Sequence, residues 1–363
     1  MDARKRARLP GPFPMRHGGV LPELEIAYET WGVLSPARDN ALLIVTGLSP
    51  GAHARSSADD PTPGWWEEMV GPGQAIDTDR FFVICVNSLG SCHGSTGPAS
   101  IDPRTGKLYR MSFPVLAIED IATAARETVR SLGIERLRAL VGPSLGGMTA
   151  LAYSILFPEE VEALVTISSA TRATPFAIAI RSVQREAIRS DPEWRNGNYE
   201  GAGPVTGLRL ARKLGLITYR SAKEWRERFA RERVAVREAK SGVFGVEFEV
   251  ESYLETHAQR FVGSFDANCY LYLSRCMDLF DVAEHGGSVE AGLGRIRARQ
   301  TLVIGVEHDF LFPIDQQEEI ATVLRDLGRN VRFVPLPSIQ GHDSFLVDYE
   351  RFCPVVGDFL AGV

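Results

Sequence analysis

A mostly parallel α/β sheet is the fold class this sequence predicts, and three observations predict it. Short β-branched runs recur between Gly, Pro and Asp, helix-like segments separate several of them, and one run ends in a glycine-flanked serine, "GPSLGG" (142 to 147). Parallel neighbours need a crossover long enough to hold a helix, so strands that alternate with helices imply parallel pairing.

The elements follow in chain order. "PELEIAYETWGVL" (22 to 34) alternates apolar and polar residues and reads as an antiparallel edge strand that opens the sheet. Buried strands are predicted at 41 to 49, 80 to 88, 137 to 144, 161 to 169, 300 to 309 and 330 to 338. Helices are predicted at 115 to 132 and 312 to 328. The alternation stops between about 172 and 295, where helix-like stretches rich in Arg and Glu replace it. This divides the chain into a core of 1–171 and 296–363 with a helical insertion at 172–295, placed to form a lid over the carboxyl ends of the strands, where open α/β sheets bind ligands. The basic start "ARKRAR" (3 to 8) reads as a disordered tail.

Composition excludes several classes. Among 363 residues the net charge is −6, and no single-sign block beyond the basic start suggests nucleic acid. No apolar run is long enough to span a bilayer, and no signal-like segment opens the chain, so a cytoplasmic protein with no membrane partner is expected. Five cysteines, Cys85, Cys92, Cys269, Cys276 and Cys353, are odd in number and lack metal-ligand spacing, which fits free thiols in a reducing compartment and no metal site. Cys92 reads as an ordinary loop thiol.

Gly142-Pro143-Ser144-Leu145-Gly146 satisfies G-x-S-x-G, a pattern that occurs by chance. Its context is more specific, because an apolar strand precedes it and a helix-like run follows, as the nucleophile elbow of an α/β-hydrolase fold requires. The bland alternative is an N-cap serine on a Gly-rich turn. A serine hydroxyl needs a base to take its proton and a third group to orient that base. In this fold the order is Ser, acid, His. His342 in "IQGHDSF" and Asp309 after "TLVIGVEH" complete that order with Ser144. Glu307, Asp315 and Asp343 are nearby acids, and His308 competes as base only if the last strand is misread. His53, His93 and His257 read as loop or helix residues, with His53 near enough to line the pocket. The amides of Leu145 and Leu48 are the candidate oxyanion donors.

The elbow, "NSLGSCHGSTGPAS" (87 to 100), "EHDFLFP" (307 to 313) and "GHDSFL" (341 to 346) together resemble the homoserine O-acetyltransferase family of α/β-hydrolase-fold acyltransferases, over about 12 to 360. "GLSPGAHA" (47 to 54), "IRSVQREAIRSDPEW" (180 to 194), "ARKLGLITYRSAKEW" (211 to 225) and "FEVESYL" (248 to 254) are most similar to its serine O-succinyltransferase branch. The resemblance implies a ping-pong transfer from an acyl-CoA to an amino-acid hydroxyl, in cysteine biosynthesis for that branch, with no cofactor beyond the CoA of the donor. It implies that Arg212 takes the acceptor's carboxylate and Asp343 its ammonium, with Tyr219 a further polar contact. It also implies a homodimer. Arg181, Arg185 and Arg189 recur every four residues, and one of them, Arg185 by preference, is a candidate for the carboxylate of a succinyl donor. A homoserine O-acetyltransferase or O-succinyltransferase, a serine esterase or thioesterase, and a non-catalytic scaffold are the competing readings.

Overall fold

The computed structural model describes residues 3–235 and 244–363. Its centre is an eight-stranded sheet made of β1 (Lys5–Pro14), β2 (Val20–Trp31), β3 (Ala41–Val45), β4 (Phe82–Val86), β5 (Leu137–Pro143), β6 (Val161–Ile167), β7 (Gln300–Val306) and β8 (Val331–Leu336). Their spatial order is β1-β2-β4-β3-β5-β6-β7-β8. The pairs β1/β2 and β2/β4 are antiparallel, and all later pairs are parallel.

Period-two alternation divides the sheet between two cores. Ala41, Leu43 and Val45 of β3 join one apolar cluster, whereas Leu42 and Ile44 join the other. The first is covered by α1 (Ile118–Ser131) and α2 (Leu145–Leu156), the second by the C-terminal helix at Tyr349–Ala361. Burying each such leucine or isoleucine contributes about 1.5–3 kcal/mol. Because α2 is apolar all round, it is buried from Leu145 through Ile155 and anchors the elbow deep in the molecule.

Between β6 and β7 the described residues form α3 (Pro175–Arg189), α4 (Val205–Tyr219), α5 (Ala222–Phe229), α6 (Glu249–Val262), α7 (Ala267–Leu279) and α8 (Val289–Leu293). Helix α9 (Ile314–Asp326) crosses from β7 to β8.

The N-terminus corrects two expectations. "ARKRAR" does not form a disordered tail; from Lys5 it enters β1, which makes β1 rather than β2 the outer strand. Ala7 and Leu9 face inward and are buried, while Arg6 and Arg8 on the opposite face pair with Glu25 of β2. The basic residues are therefore the solvent face of a strand whose buried positions are Ala7, Leu9 and Phe13, with Pro10 and Pro12 between the last two. Charged side chains on such an edge also discourage pairing with another chain.

Candidate active site

Ser144 stands between β5 and α2 with φ 57° and ψ −123°, a conformation that costs about 1–3 kcal/mol and persists only where the surroundings impose it. They do so through backbone bonds from the Ser144 amide to the Ile167 carbonyl (2.8 Å) and from the Gly147 amide to the Ser144 carbonyl (2.8 Å). The flanking glycines are steric requirements. A Cβ on Gly142 would lie 2.1 Å from the Gly146 carbonyl oxygen, and one on Gly146 would lie 2.1 Å from that of Val45.

The structure brings the three sequence-predicted residues together. His342 Nε2 lies 2.8 Å from Ser144 Oγ, and His342 Nδ1 lies 2.7 Å from Asp309 Oδ2. Asp309 is held in turn by amides of Leu311 (3.0 Å) and Phe312 (2.9 Å), both donating to Oδ1. The Phe312 ring stacks on the imidazole at 4.9 Å between centroids, and Phe345 meets it edge-on at 5.8 Å. Burial works against a charged imidazole here, but the charge and hydrogen bond of Asp309 outweigh it and hold the His342 pKa above its ordinary value. Asp309 thus fixes both the ring's orientation and the nitrogen that carries the proton, leaving Nε2 as acceptor toward Ser144.

A cavity of about 110 Å³ opens on Ser144 and His342. Leu48 lies on its wall, in the turn after β3, and Leu145 is the first residue of α2, where helical amides lack intrahelical partners. Arg212 on α4, Tyr219 at its end and Asp343 beside His342 line the same cavity. The Arg212 guanidinium packs over Phe261 (4.4 Å) and Tyr219 (5.6 Å), and its buried Nε has no hydrogen-bond partner among the described residues. Asp343 lies 3.3 Å from Arg220 Nε; burial raises its pKa, although Arg220, His342 and Arg212 act in the opposite direction. Burial likewise raises that of Tyr219.

Two placements differ from the sequence reading. Of the arginine stripe on α3, Arg181 lines the Ser144 cavity, whereas Arg185 lines a neighbouring one. Both are tied to Asp278 of α7, Arg181 through Nε to Oδ1 (2.6 Å) and Arg185 through Nη2 to Oδ2 (2.6 Å), and Arg185 also donates to Ser274 Oγ (2.9 Å). Four residues overshoot one helical turn, so the stripe rotates and its members face different spaces. His53 lines a separate cleft with Glu29 and His93, and His342 is the histidine found on the Ser144 cavity among the described residues. Sequence reasoning also missed Trp65 and Gln184 on the wall and Asp278 behind it. Phe312 carried a faint signal, three residues after Asp309.

The geometry is that of a serine nucleophile on an α/β sheet, and the comparisons agree. A family model described as the alpha/beta hydrolase fold matches residues 40–339. The chain belongs to the α/β-hydrolase family. Within that family it is similar to a serine O-succinyltransferase of Frateuria aurantia, 60% identical over 99% of both chains, and to one of Litchfieldella anticariensis, 57% identical over 99% of both. Among solved structures it resembles a homoserine O-acetyltransferase from Bacillus anthracis (TM-score 0.89, 30% identity, covering 99% of this chain and 98% of that one). Esterase E22 is similar too (TM-score 0.88, 29% identity, covering 98% and 100%). Among the described residues no helix is long and apolar enough to cross a membrane.

Proposed function

We propose that this α/β-hydrolase is a serine O-succinyltransferase, moving succinyl from succinyl-CoA to the hydroxyl of L-serine. The observation that carries the reading is near full-length identity of 57–60% to relatives so named, joined to a serine, histidine and aspartate in hydrogen-bonding register. Ser144 Oγ attacks the thioester carbonyl as its proton passes to His342 Nε2. The Leu48 and Leu145 amides face the oxyanion, and the tetrahedral adduct expels CoA, which leaves as the thiol with the proton from His342. In the second half-reaction His342 deprotonates the acceptor hydroxyl, which attacks the acyl-enzyme, and the adduct expels Ser144 Oγ as that oxygen takes the proton back from His342. Arg212 offers a planar fork to the acceptor's carboxylate, and Asp343 a negative charge to its ammonium, with Tyr219 beside them. The reading places the reaction in cysteine biosynthesis in the cytoplasm, with a homodimer as the working unit and no cofactor beyond the donor's CoA.

Donor choice follows from the ion triad. Two guanidiniums share one carboxylate, so Arg181, Arg185 and Asp278 form a triad with one positive charge in excess behind the cavity wall. Excess buried charge is costly, and a succinyl carboxylate reaching Arg181 would balance it. Arg181→Ala is expected to raise KM for succinyl-CoA by about 10-fold to 100-fold, the range of a charged hydrogen bond worth roughly 1.5–3 kcal/mol, with acetyl-CoA little changed. Equal effects on both donors would remove Arg181 from this role, and the same comparison on Arg185→Ala decides between the two arginines.

The esterase among the structural neighbours marks the second reading, because fold and triad do not decide whether water or an amino acid takes the acyl group. Thiol release from acetyl-CoA and succinyl-CoA, each with no acceptor, L-serine or L-homoserine and with Ser144→Ala as control, tests both. Succinyl-CoA turnover that requires L-serine supports the proposal. Dependence on L-homoserine would give an enzyme of methionine synthesis, and acceptor-independent release a hydrolase.

A further inference from the structure

His53 follows the turn that carries Leu48, and both of its ring nitrogens are engaged. Nδ1 lies 2.8 Å from Glu29 Oε2, and Nε2 lies 2.8 Å from the Thr62 carbonyl oxygen. An ionised carboxylate and a carbonyl can only accept, so both contacts form together when the ring carries both protons. Glu29 is a carboxylate 2% exposed, on β2 in the central sheet. The clamp therefore fastens the loop to the central sheet.

What it fastens bears directly on catalysis. Gly47, Leu48, Ser49 and Pro50 line the Ser144 cavity, and so does Trp65 beyond the clamp. The backbone of His53 accepts from the Trp65 amide (3.2 Å), and the Trp65 indole donates to the Gly51 carbonyl (3.1 Å). Loss of the His53 ring contacts would remove the segment's tie to Glu29 and loosen the turn that carries Leu48, leaving it held by the Trp65 bonds and by Asn87 Nδ2 to the Pro50 carbonyl (3.4 Å).

We propose that His53, as an imidazolium held between Glu29 and the Thr62 carbonyl, is the positioning residue of the oxyanion loop, so that acylation of Ser144 depends on His53 keeping both protons. The proposal rests on the acyl-transfer reading above. The charged and titratable groups facing the ring are Glu29 on β2, Asp60 on the same loop, and Arg4 and His93 across a cleft of about 520 Å³. Burial opposes the ring's charge, but the Glu29 and Thr62 bonds and the charges of Glu29 and Asp60 prevail and raise its pKa above the ordinary histidine value. The clamp is accordingly complete below that raised pKa and is lost as pH rises through it.

The test is the pre-steady-state burst of CoA release with succinyl-CoA and no acceptor, which isolates acylation from the titration of an amino-acid substrate. In the wild type the burst rate should fall on the alkaline side. His53→Gln should acylate about 10-fold to 100-fold more slowly at neutral pH, since displacing a catalytic group by about 1 Å costs on the order of 10²-fold, with donor KM within about twofold and no alkaline fall. Glu29→Gln, which removes the partner charge, should move the alkaline fall to lower pH. A wild-type burst rate in His53→Gln, or an alkaline fall that persists in it, would overturn the proposal. So would a wild-type burst flat on the alkaline side, an outcome that needs no variant to fold. A wild type with no burst at all would instead overturn the transferase reading, and this one with it.

Discussion

The proton on His342 is set by burial, which opposes it, and by the charge and hydrogen bond of Asp309, which together prevail. As a base His342 must be neutral, and Asp309 makes it hold its proton to a higher pH than an ordinary imidazole does. Acylation should therefore rise with pH through a pKa above the usual histidine value, giving the acid limb of its profile. Asp309→Asn should lower kcat by about 10⁴-fold, because the amide can donate to Nδ1 and turn the ring to the tautomer that cannot accept from Ser144. It should also move the acid limb of the residual activity to lower pH. A burst-rate profile of the variant checks both, and an unmoved limb would mean that another group sets it. Ser144, His342 and Asp309 were legible in the sequence because each follows a recognisable strand end and their order along the chain is fixed by the fold. Arg181 was not, because which face of α3 meets the cavity is decided by how α3 packs on α4 and α7, and a four-residue spacing carries no record of that packing.

At the scale of elements, the elbow couples chemistry to stability. The Cβ of Gly146→Ala would lie 2.1 Å from the Val45 carbonyl oxygen, so α2 would have to shift away from β3. Neither partner is a flexible side chain, and such overpacking typically costs about 1–3 kcal/mol or more. Thermal unfolding should show a lower Tm for Gly146→Ala than for Ser144→Ala, which removes the nucleophile but adds no atom. Equal melting would mean that the backbone yields at no cost and that the glycine serves another purpose. The parallel strands were legible for the same reason that the elbow is rigid: buried on both faces, β3 is apolar throughout and β5 is apolar from Ala139 onward. Strand β1 was not. Its outward positions are basic, and its three prolines break the expected alternation, so its identity comes from the register against β2 and from Glu25 across the pair.

For the whole molecule, the inserted helices both line the Ser144 cavity and carry exposed apolar side chains. They supply Arg181, Arg212 and Tyr219 to a cavity whose nucleophile and base belong to the sheet, so acceptor and donor choice can vary while the triad stays fixed. The same helices expose large apolar side chains, Phe176 and Val183 on α3 and Leu210 and Ile217 on α4. Apolar residues concentrated on neighbouring helices mark a surface suited to a second protein. The homodimer proposed for this chain accounts for them if that surface meets its own copy, since a two-fold interface uses the same patch on both subunits. Sedimentation of the wild type should then give twice the 39.9 kDa chain mass. The double substitution Val183→Asp and Leu210→Asp, which places four carboxylates in the two-fold contact, should return it to one chain mass while leaving the fold intact by circular dichroism. A monomeric wild type, or a variant that still sediments as a dimer, would place the subunit contact elsewhere and leave the exposed faces of α3 and α4 without this explanation.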